Sequence, residues 1–176
     1  MTEVLQLETR QRIFGVVRKN PGFSAREVQR QLGLGWGETA YHLDRMAEAG
    51  VLRRERAPNR DFYFASEVTW DDRRYLVFLR GEATRSILLA LIENPGLSPA
   101  DLAEKLGIAR STVYFHLTRL VRGGLLEGRL DNATRRYRVA QPEQAIRLLR
   151  TYRENFGEEI VSRFAEIFGA IFPEAE

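Results

Sequence analysis

Residues 97–129 of the chain read LSPADLAEKLGIARSTVYFHLTRLVRGGLLEGR, and this stretch decides the fold. Ser98 is a residue type that favours the N-cap of a helix, and the acid Asp101 follows three positions later, as it does at the start of many helices. Gly107 comes after the apolar residues of this short segment and supplies a tight turn. The first half of the stretch therefore predicts a short helix that ends at a glycine.

The second half of the stretch predicts another helix. Val113, Leu117 and Leu120 recur at intervals of four and three residues, which places them on one face of a helix. Gly124 then ends the pattern. Two helices joined by a glycine turn form a helix-turn-helix, whose second helix can enter the major groove of DNA.

An internal repeat extends this unit to most of the chain. A shift of 74 residues, with no gap, matches positions in the first half of the chain with identical residues in the second. The matches are Asn20-Pro21-Gly22 with Asn94-Pro95-Gly96, Ser24 with Ser98, Leu32-Gly33 with Leu106-Gly107, His42-Leu43 with His116-Leu117, Arg45 with Arg119, Gly50 with Gly124, Leu52 with Leu126 and Tyr63 with Tyr137. The chain's two histidines, His42 and His116, are therefore equivalent positions in two copies of one unit.

Each copy has the pattern of a winged helix-turn-helix. An amphipathic stretch before each Asn-Pro-Gly predicts a first helix, because proline cannot continue a helix. After each third helix, two short segments flank a turn-rich patch, which predicts a two-stranded hairpin. We expect a mainly α fold with small β-hairpin wings, made of two winged helix-turn-helix domains in tandem plus a long C-terminal helix. The expected boundaries are 1–66 for domain 1, 67–81 for a packed linker, 82–140 for domain 2 and 141–176 for the C-terminal helix.

The stretch at 97–129 resembles the DNA-binding core of the ArsR/MarR-type winged-helix transcriptional regulators, particularly the tandem two-domain versions common in archaea. The resemblance covers about residues 8–65 and 82–140. It implies a regulator of transcription that binds double-stranded DNA in a sequence-specific manner and uses two winged-helix domains per chain.

The DNA-contacting residues that we expect in copy 2 lie on the third helix, opposite its apolar stripe, and on the wing. Arginine can bond guanine in a bidentate manner or contact a phosphate, and phenylalanine can pack on thymine methyl groups. A solvated helix face is the alternative, but an exposed phenylalanine between arginines argues against it. The candidates are Arg110, Ser111, Thr112, Phe115, His116, Arg119 and Arg122 on the helix, and Arg129, Arg135, Arg136 and Arg138 on the wing.

Copy 1 begins its third helix differently. Gly35-Trp36-Gly37-Glu38 stands where copy 2 has Ala109-Arg110-Ser111-Thr112, and the carboxylate of Glu38 would repel DNA or accept a hydrogen bond from cytosine. Trp36 is either a stacking contact or a plug at a domain interface. We expect copy 1 to touch DNA but to read bases less well. Its candidates are Tyr41, His42 and Arg45 on the helix and Arg53, Arg54, Arg56 and Arg60 on the wing.

No pattern in the sequence indicates catalysis, a metal or a cofactor. The chain has no cysteine, and neither histidine has a second ligand at metal-binding spacing. A glycine-rich phosphate loop, a paired-carboxylate cleft and a nucleophile elbow are also lacking, so we do not expect an enzyme. The N-terminus does not resemble a signal peptide, and no apolar stretch is long enough to span a membrane. We expect a cytoplasmic, nucleoid-associated protein.

Two segments outside the repeat are apolar. Residues 67–81 include Trp70, Tyr75 and Leu79, and they are too apolar for a flexible linker, so we expect them to pack the domains together. From Pro142 to about Phe172, apolar residues recur every three or four positions, which predicts one long helix. We expect this helix to form a homodimer, and packing on its own domains is the alternative. The dimerisation candidates are Phe156, Ile160, Phe164, Ile167, Phe168 and Ile171.

Two other functions stay open at this point. Tandem winged helices also serve as protein-interaction adaptors, although the basic wings together with Arg110 and Arg119 disfavour this. A sequence-indifferent chromatin protein would bind unrelated duplexes with equal affinity. The operator, the small-molecule effector and the direction of regulation have no readable signal in the sequence.

Overall fold

The structure, a computed structural model, describes residues 7–57 and 60–156. The chain divides into two compact units, Met1–Val77 and Phe78–Glu176. The described part is mainly helical and contains two separate two-stranded antiparallel sheets. None of its helices combines the length and the apolar character needed to cross a bilayer. The predicted fold class, two winged helix-turn-helix domains in tandem, is confirmed.

The two units repeat one order of elements: three helices followed by a hairpin. The elements of unit 1 are α1 (Glu8–Lys19), α2 (Ala25–Leu32), α3 (Trp36–Glu48), β1 (Leu52–Ala57) and β2 (Arg60–Ala65). Helix α4 (Trp70–Leu79) follows and runs across the boundary between the units. The elements of unit 2 are α5 (Glu82–Glu93), α6 (Pro99–Leu106), α7 (Arg110–Arg122), β3 (Leu126–Asp131), β4 (Thr134–Val139) and α8 (Pro142–Thr151).

A capping box opens the second helix of each unit. The Ser24 hydroxyl accepts from the backbone N–H of Glu27, and the Glu27 carboxylate accepts from the backbone N–H of Ser24 at 2.8 Å. Ser98 and Asp101 make the same reciprocal pair at 2.8 Å. Only Glu27 has the residue type expected in such a box, yet the shorter side chain of Asp101 closes it as well. Both second helices therefore start where the sequence predicts.

Glycine ends the same helix in each unit. Gly33 and Gly107 cap α2 and α6 in the left-handed conformation, with φ of 66° and 64°. That conformation favours glycine because a Cβ atom is strained there. The tight turn brings the chain directly into the third helix, α3 or α7, so the helix-turn-helix geometry is fixed by a local signal.

Each wing is a short antiparallel hairpin anchored to the first loop of its own unit. The strands pair in register from Leu52 opposite Ala65 to Ala57 opposite Arg60, and from Leu126 opposite Val139 to Asp131 opposite Thr134. The backbone N–H of Tyr63 donates to Phe23 at 2.9 Å, and that of Tyr137 donates to Leu97 at 3.1 Å. The base of the wing is thereby held against the segment that leads into the second helix.

The two cores are built from equivalent residues. The buried cluster of unit 1 consists of Ile13, Val17, Val28, Leu43, Met46, Val51, Leu52 and Tyr63. The residues 74 positions later are also buried, namely Ile87, Leu91, Leu102, Leu117, Leu120, Leu125, Leu126 and Tyr137. Burial of an aliphatic side chain contributes roughly 1.5–3 kcal/mol, so this shared pattern accounts for the shared fold.

Helix α4 occupies the apolar segment between the copies. Tyr75, Leu76 and Leu79 are buried, but Trp70 is 59% exposed, with the guanidinium carbon of Arg74 4.8 Å from its ring centroid. The expectation that Trp70 is packed is therefore wrong. At helical spacing Trp70 lies roughly opposite Tyr75 and Leu79, which explains its position in solvent.

The predicted single helix from Pro142 to about Phe172 is wrong at its centre. The α-helix ends at Thr151, and a 3-10 turn at Arg153–Asn155 follows. Phe156 then lies buried within unit 2, with its ring centroid 5.5 Å from the guanidinium carbon of Arg85. Packing in its own unit removes Phe156 as a contact for a partner chain. The other dimerisation candidates lie outside the described residues, namely Ile160, Phe164, Ile167, Phe168 and Ile171.

Candidate nucleic-acid interface

Helix α7 presents a basic and aromatic face to solvent. Its apolar stripe of Val113, Leu117 and Leu120 is buried in unit 2. The exposed side chains of α7 are Arg110, Ser111, Tyr114, Phe115, Thr118, Arg119, Val121 and Arg122. Thr112, which was expected on this face, is half-buried. The helix carries three arginines and no carboxylate, so its exposed face is positively charged.

Two neighbouring aromatic rings stand out on this face. Phe115 is 58% exposed, as predicted, and Tyr114 is 54% exposed but was not predicted as a contact. The signal for Tyr114 was available, because it immediately follows the buried Val113 and therefore turns away from the core. A tyrosine in this position adds an apolar ring and a hydrogen-bonding hydroxyl to the candidate surface.

Arg119 lies near two aromatic rings of unit 2. Its guanidinium carbon is 5.5 Å from the ring centroid of Phe115 and 5.9 Å from that of Phe78. Both distances lie within the range of a cation–π interaction, which restricts an otherwise mobile side chain. The ring of Phe78 also packs on Gly123, where a Cβ atom would come within 2.7 Å of Phe78 Cε2. Phe78 thus contacts both Arg119 and the C-terminal end of α7.

The backbone at Phe78 is itself fixed. The carbonyl oxygen of Phe78 accepts hydrogen bonds from the Thr84 hydroxyl and, at 3.1 Å, from the backbone N–H of Gly81. The buried Arg85 donates to the carbonyl oxygen of Leu79 at 2.8 Å. The end of α4 is therefore held by α5, which keeps the Phe78 ring in place beside Arg119.

His116 lies half-buried at the edge of the α7 face, as its helical position predicts. Burial lowers the pKa of His116 below its ordinary value, and the charge of Arg119 lowers it further. The imidazole is therefore neutral at pH 7, and its buried Nδ1 has no hydrogen-bond partner. In unit 1, by contrast, His42 Nδ1 accepts a hydrogen bond from Arg10 Nε at 3.4 Å. Among the described residues, no group of His, Cys, Asp or Glu is arranged to hold a metal ion.

The predicted wing arginines of unit 2 fall into two classes. Arg138 pairs with Glu127 at 2.6 Å, and Arg136 pairs with Asp131 at 3.1 Å and also donates to the Gly96 carbonyl oxygen. These side chains are exposed, but part of their charge is compensated within the protein. The arginines of this wing that form no ion pair in the described structure are Arg129 and Arg135.

Helix α3 has a different surface from α7. It carries the carboxylates Glu38, Asp44 and Glu48 and the single arginine Arg45. Arg45 is paired with Glu48 at 3.1 Å. Of the other candidates, Tyr41 is 56% exposed and His42 is half-buried. The face of α3 that corresponds to the exposed face of α7 is therefore acidic rather than basic.

Arg54 of the first wing is committed to internal contacts. Its Nη1 is 2.7 Å from Asp44 Oδ1, and its Nε is 3.8 Å from Asp61 Oδ2. A hydrogen bond with the Tyr63 hydroxyl raises the pKa of Arg54 above its ordinary value. A contact between Arg54 and a DNA phosphate would require these bonds to break. The remaining candidates of this wing, Arg53, Arg56 and Arg60, are exposed and form no ion pair among the described residues.

Two further arginines of unit 1 were not predicted as contacts. Arg26 and Arg30 are exposed on α2, one helical turn apart, and neither forms an ion pair in the described part of the chain. Both line a surface hollow together with Trp36 of α3 and Arg60 of the wing. Helix periodicity predicts that Arg26 and Arg30 share a face, but only the folded chain brings them near the wing.

Comparison with known families agrees with this architecture. Residues 7–76 match a family described as an N-terminal HTH domain, HTH_HVO_0163_N. Residues 81–127 match a family described as winged helix-turn-helix DNA-binding, HTH_24. The chain carries two winged helix-turn-helix domains in tandem. The second match covers α6 and α7, the two helices that form the helix-turn-helix of unit 2.

Individual relatives show more distant similarity. The uncharacterized HTH-type transcriptional regulator MJ1398 of Methanocaldococcus jannaschii is 25% identical over 127 residues, which is 72% of this chain and 32% of that protein. The chain thus spans about a third of the length of this relative. HlyU from Vibrio cholerae N16961 is a solved structure with 27% sequence identity and a TM-score of 0.41. The match covers 46% of this chain and 87% of the HlyU chain. Human N-acetylserotonin methyltransferase in complex with SAM has 13% identity and a TM-score of 0.28 over 95% of this chain and 53% of its own. At these TM-scores, neither solved structure informs the function.

Proposed function

We propose that the protein is a transcription regulator that binds double-stranded DNA in a sequence-specific manner, with unit 2 as the base reader. The observation that carries this proposal is the exposed face of α7, which has three arginines, no carboxylate and one guanidinium within cation–π distance of two rings. Uncompensated arginines on a recognition helix suit a polyanion, and a restricted arginine suits the discrimination of bases. The name of the relative MJ1398 supports the regulatory role.

In this proposal α7 enters the major groove with its N-terminal end first. Arg110 and Ser111 at that end contact phosphates, because both are exposed at the start of the helix. The Arg119 guanidinium donates two hydrogen bonds to the acceptor atoms on the major-groove edge of a guanine. Phe115 packs on a thymine methyl group. His116 contributes a neutral hydrogen-bonding group rather than a charge at pH 7.

The wings supply contacts that do not depend on the base sequence of the DNA. Arg129 and Arg135 of unit 2 are exposed and form no ion pair with a described residue, and the same holds for Arg53 and Arg56 of unit 1. Such arginines can follow the phosphate backbone or enter a minor groove. The paired Arg54, Arg136 and Arg138 contribute less, because each contact with DNA must replace an internal one.

The experiment that tests the proposal is selection of bound duplexes from a random DNA pool by the full chain, repeated at two salt concentrations. We expect one enriched motif, together with a linear fall of log affinity with log salt as counterions are released. Equal affinity for unrelated duplexes would support a sequence-indifferent chromatin protein instead. Failure to bind any duplex would support an adaptor of protein complexes.

We further propose a homodimer in the cytoplasm, on the basis of the apolar pattern at residues 160–171. A two-fold dimer would place two copies of α7 on one DNA molecule, so the enriched motif should be an imperfect palindrome with half-sites about 10 base pairs, or a multiple of this, apart. Light scattering on the full chain at micromolar concentration checks the assembly. A monomer would contradict both the dimer and the palindrome, but not base reading by α7.

A further inference from the structure

A hollow of about 700 Å³ lies on the surface of unit 1, between α2, α3 and the wing. Its lining includes three carboxylates, all of which already have partners inside the protein. The Glu27 carboxylate is 2.8 Å from the backbone N–H of Ser24 in the capping box. Asp44 and Asp61 are both held by Arg54. Arg54 is thus shared by two carboxylates, and the lining as a whole has four arginines and three carboxylates, which is a net positive charge of one.

The other three arginines of the hollow take no part in these described contacts. Arg26 and Arg30 line it from α2, and Arg60 lines it from the wing. None of the three forms an ion pair with a described residue, and Arg60 rests with its guanidinium carbon 4.9 Å from the ring centroid of Phe62. Guanidinium groups bind carboxylates and phosphates through charge-assisted hydrogen bonds. The hollow thus offers an anion three guanidinium groups that are not engaged in ion pairs with described residues.

A flat aromatic surface completes the hollow. Trp36 is the first residue of α3, is 52% exposed and lines the same hollow. An indole next to several guanidinium groups can stack on a planar ring while the arginines hold an attached anion. This combination favours a ligand with both parts over a bare inorganic ion.

Unit 2 shows that the winged-helix fold does not require this set of residues. The positions 74 residues after Arg26, Arg30, Trp36 and Arg60 are occupied by Ala100, Glu104, Arg110 and Thr134. Unit 2 therefore lacks the cations of α2 and the wing, and lacks the indole, although its backbone follows the same plan. If these residues only served contact with DNA, the unit with the more basic recognition helix would be expected to carry them too.

We propose that this hollow is a binding site for a small organic anion that carries a planar ring. Its phosphate or carboxylate would lie against Arg26, Arg30 and Arg60, and its ring would stack on Trp36. Because α3 and the wing border the hollow, a bound ligand would occupy the surface that unit 1 would otherwise offer to DNA. Such a ligand would act as an effector of the regulator, but its binding does not depend on base reading by α7.

Trp36 provides a direct readout of binding. The chain has two tryptophans, so Trp36 is the single indole in a Trp70→Phe variant of the full chain. Adenosine monophosphate serves as the probe, with no DNA present, and adenosine and inorganic phosphate are measured as its competitors. We expect saturable quenching of Trp36 fluorescence by adenosine monophosphate. Each competitor should bind at least about tenfold more weakly, since it has only half of the recognised groups.

Substitutions locate the binding site. The double change Arg26→Ala and Arg30→Ala should weaken the binding of adenosine monophosphate by about tenfold or more. Arg53→Ala removes another exposed charge of unit 1, from the wing and outside the lining of the hollow, and should leave binding of adenosine monophosphate within about twofold. Absence of saturable quenching, equal affinity for inorganic phosphate, or equal losses in the two variants would each overturn the proposal. None of these outcomes bears on the duplex selection, which tests α7.

Discussion

Helices α3 and α7 occupy the same place in two copies of one fold, yet their surfaces have opposite charge. Both bury an apolar stripe, in which Leu43 corresponds to Leu117. On the exposed side, α3 has three carboxylates and one arginine, whereas α7 has three arginines and no carboxylate. Arg45 is paired with Glu48, whereas its counterpart Arg119 lies within cation–π distance of two aromatic rings.

This contrast separates the core residues, which maintain the fold, from the surface residues, which determine the function. Residues that face the core are equivalent in the two units because each must fill the same space. Residues that face solvent have no such constraint, so the same fold can present different chemistry. We infer that unit 2 reads DNA bases, while unit 1 supplies phosphate contacts from its wing and carries a different binding site on its surface.

The largest expected effects concern the shared core. Leu117→Ala and Leu43→Ala should each lower the free energy of unfolding by about 2–5 kcal/mol, because both side chains are buried and each leaves a cavity. Chemical denaturation followed by circular dichroism measures the loss. A loss below about 1 kcal/mol in one variant would show that the two cores are not equivalent.

A smaller effect is expected from a change to the Phe78 ring, which contacts Arg119. Phe78→Leu keeps an apolar side chain but removes one cation–π contact, so it should weaken binding to the selected duplex by about 0.5–1 kcal/mol. A double-mutant cycle with Arg119→Ala isolates the contribution of the Phe78–Arg119 contact. In the Arg119→Ala variant, Phe78→Leu should cause no further loss of duplex affinity. If Phe78→Leu weakens duplex binding by the same amount in the Arg119→Ala variant, Phe78 acts on the fold of α7 and not on Arg119.

The smallest effect is a pH dependence of stability in unit 2. Because the folded-state pKa of His116 is lowered, the unfolded chain binds a proton more readily below the ordinary histidine pKa. The free energy of unfolding should therefore decrease as the pH falls from 7 to 5, and His116→Gln should remove that part of the decrease. His42→Gln, which retains His116, is the matched control. A pH profile of the free energy of unfolding that His116→Gln leaves unaltered would contradict the assignment of this pH dependence to His116.

The elements with strong local signals were predictable from sequence. Ser24 and Ser98 as N-caps, Gly33 and Gly107 as helix ends, and the 74-residue repeat together specify the helix-turn-helix units and their wings. The caps and helix ends depend on residues that are close in sequence, so pattern and propensity suffice to find them, and the repeat shows that the same signals occur twice. The exposure of Phe115 was predictable for the same reason.

Features that depend on distant residues were not predictable. The pairing of Arg54 with Asp44 joins the wing to α3, and the contact of Phe78 with Arg119 joins α4 to α7. The end of α8 at Thr151 was missed because the apolar spacing continues past it, whereas Phe156 packs against its own unit. A regular pattern predicts a helix, but tertiary packing decides where it stops.

Base reading by α7, and not by α3, is tested most directly at the equivalent positions Arg119 and Arg45. Selection of duplexes from a random pool is carried out in parallel with the full chain, its Arg119→Ala variant and its Arg45→Ala variant. We predict that Arg119→Ala loses about 1–3 kcal/mol of affinity for the enriched duplex and relaxes the preference at one base pair, while Arg45→Ala enriches the unchanged motif. An unchanged motif with Arg119→Ala, together with a relaxed one with Arg45→Ala, would contradict the account.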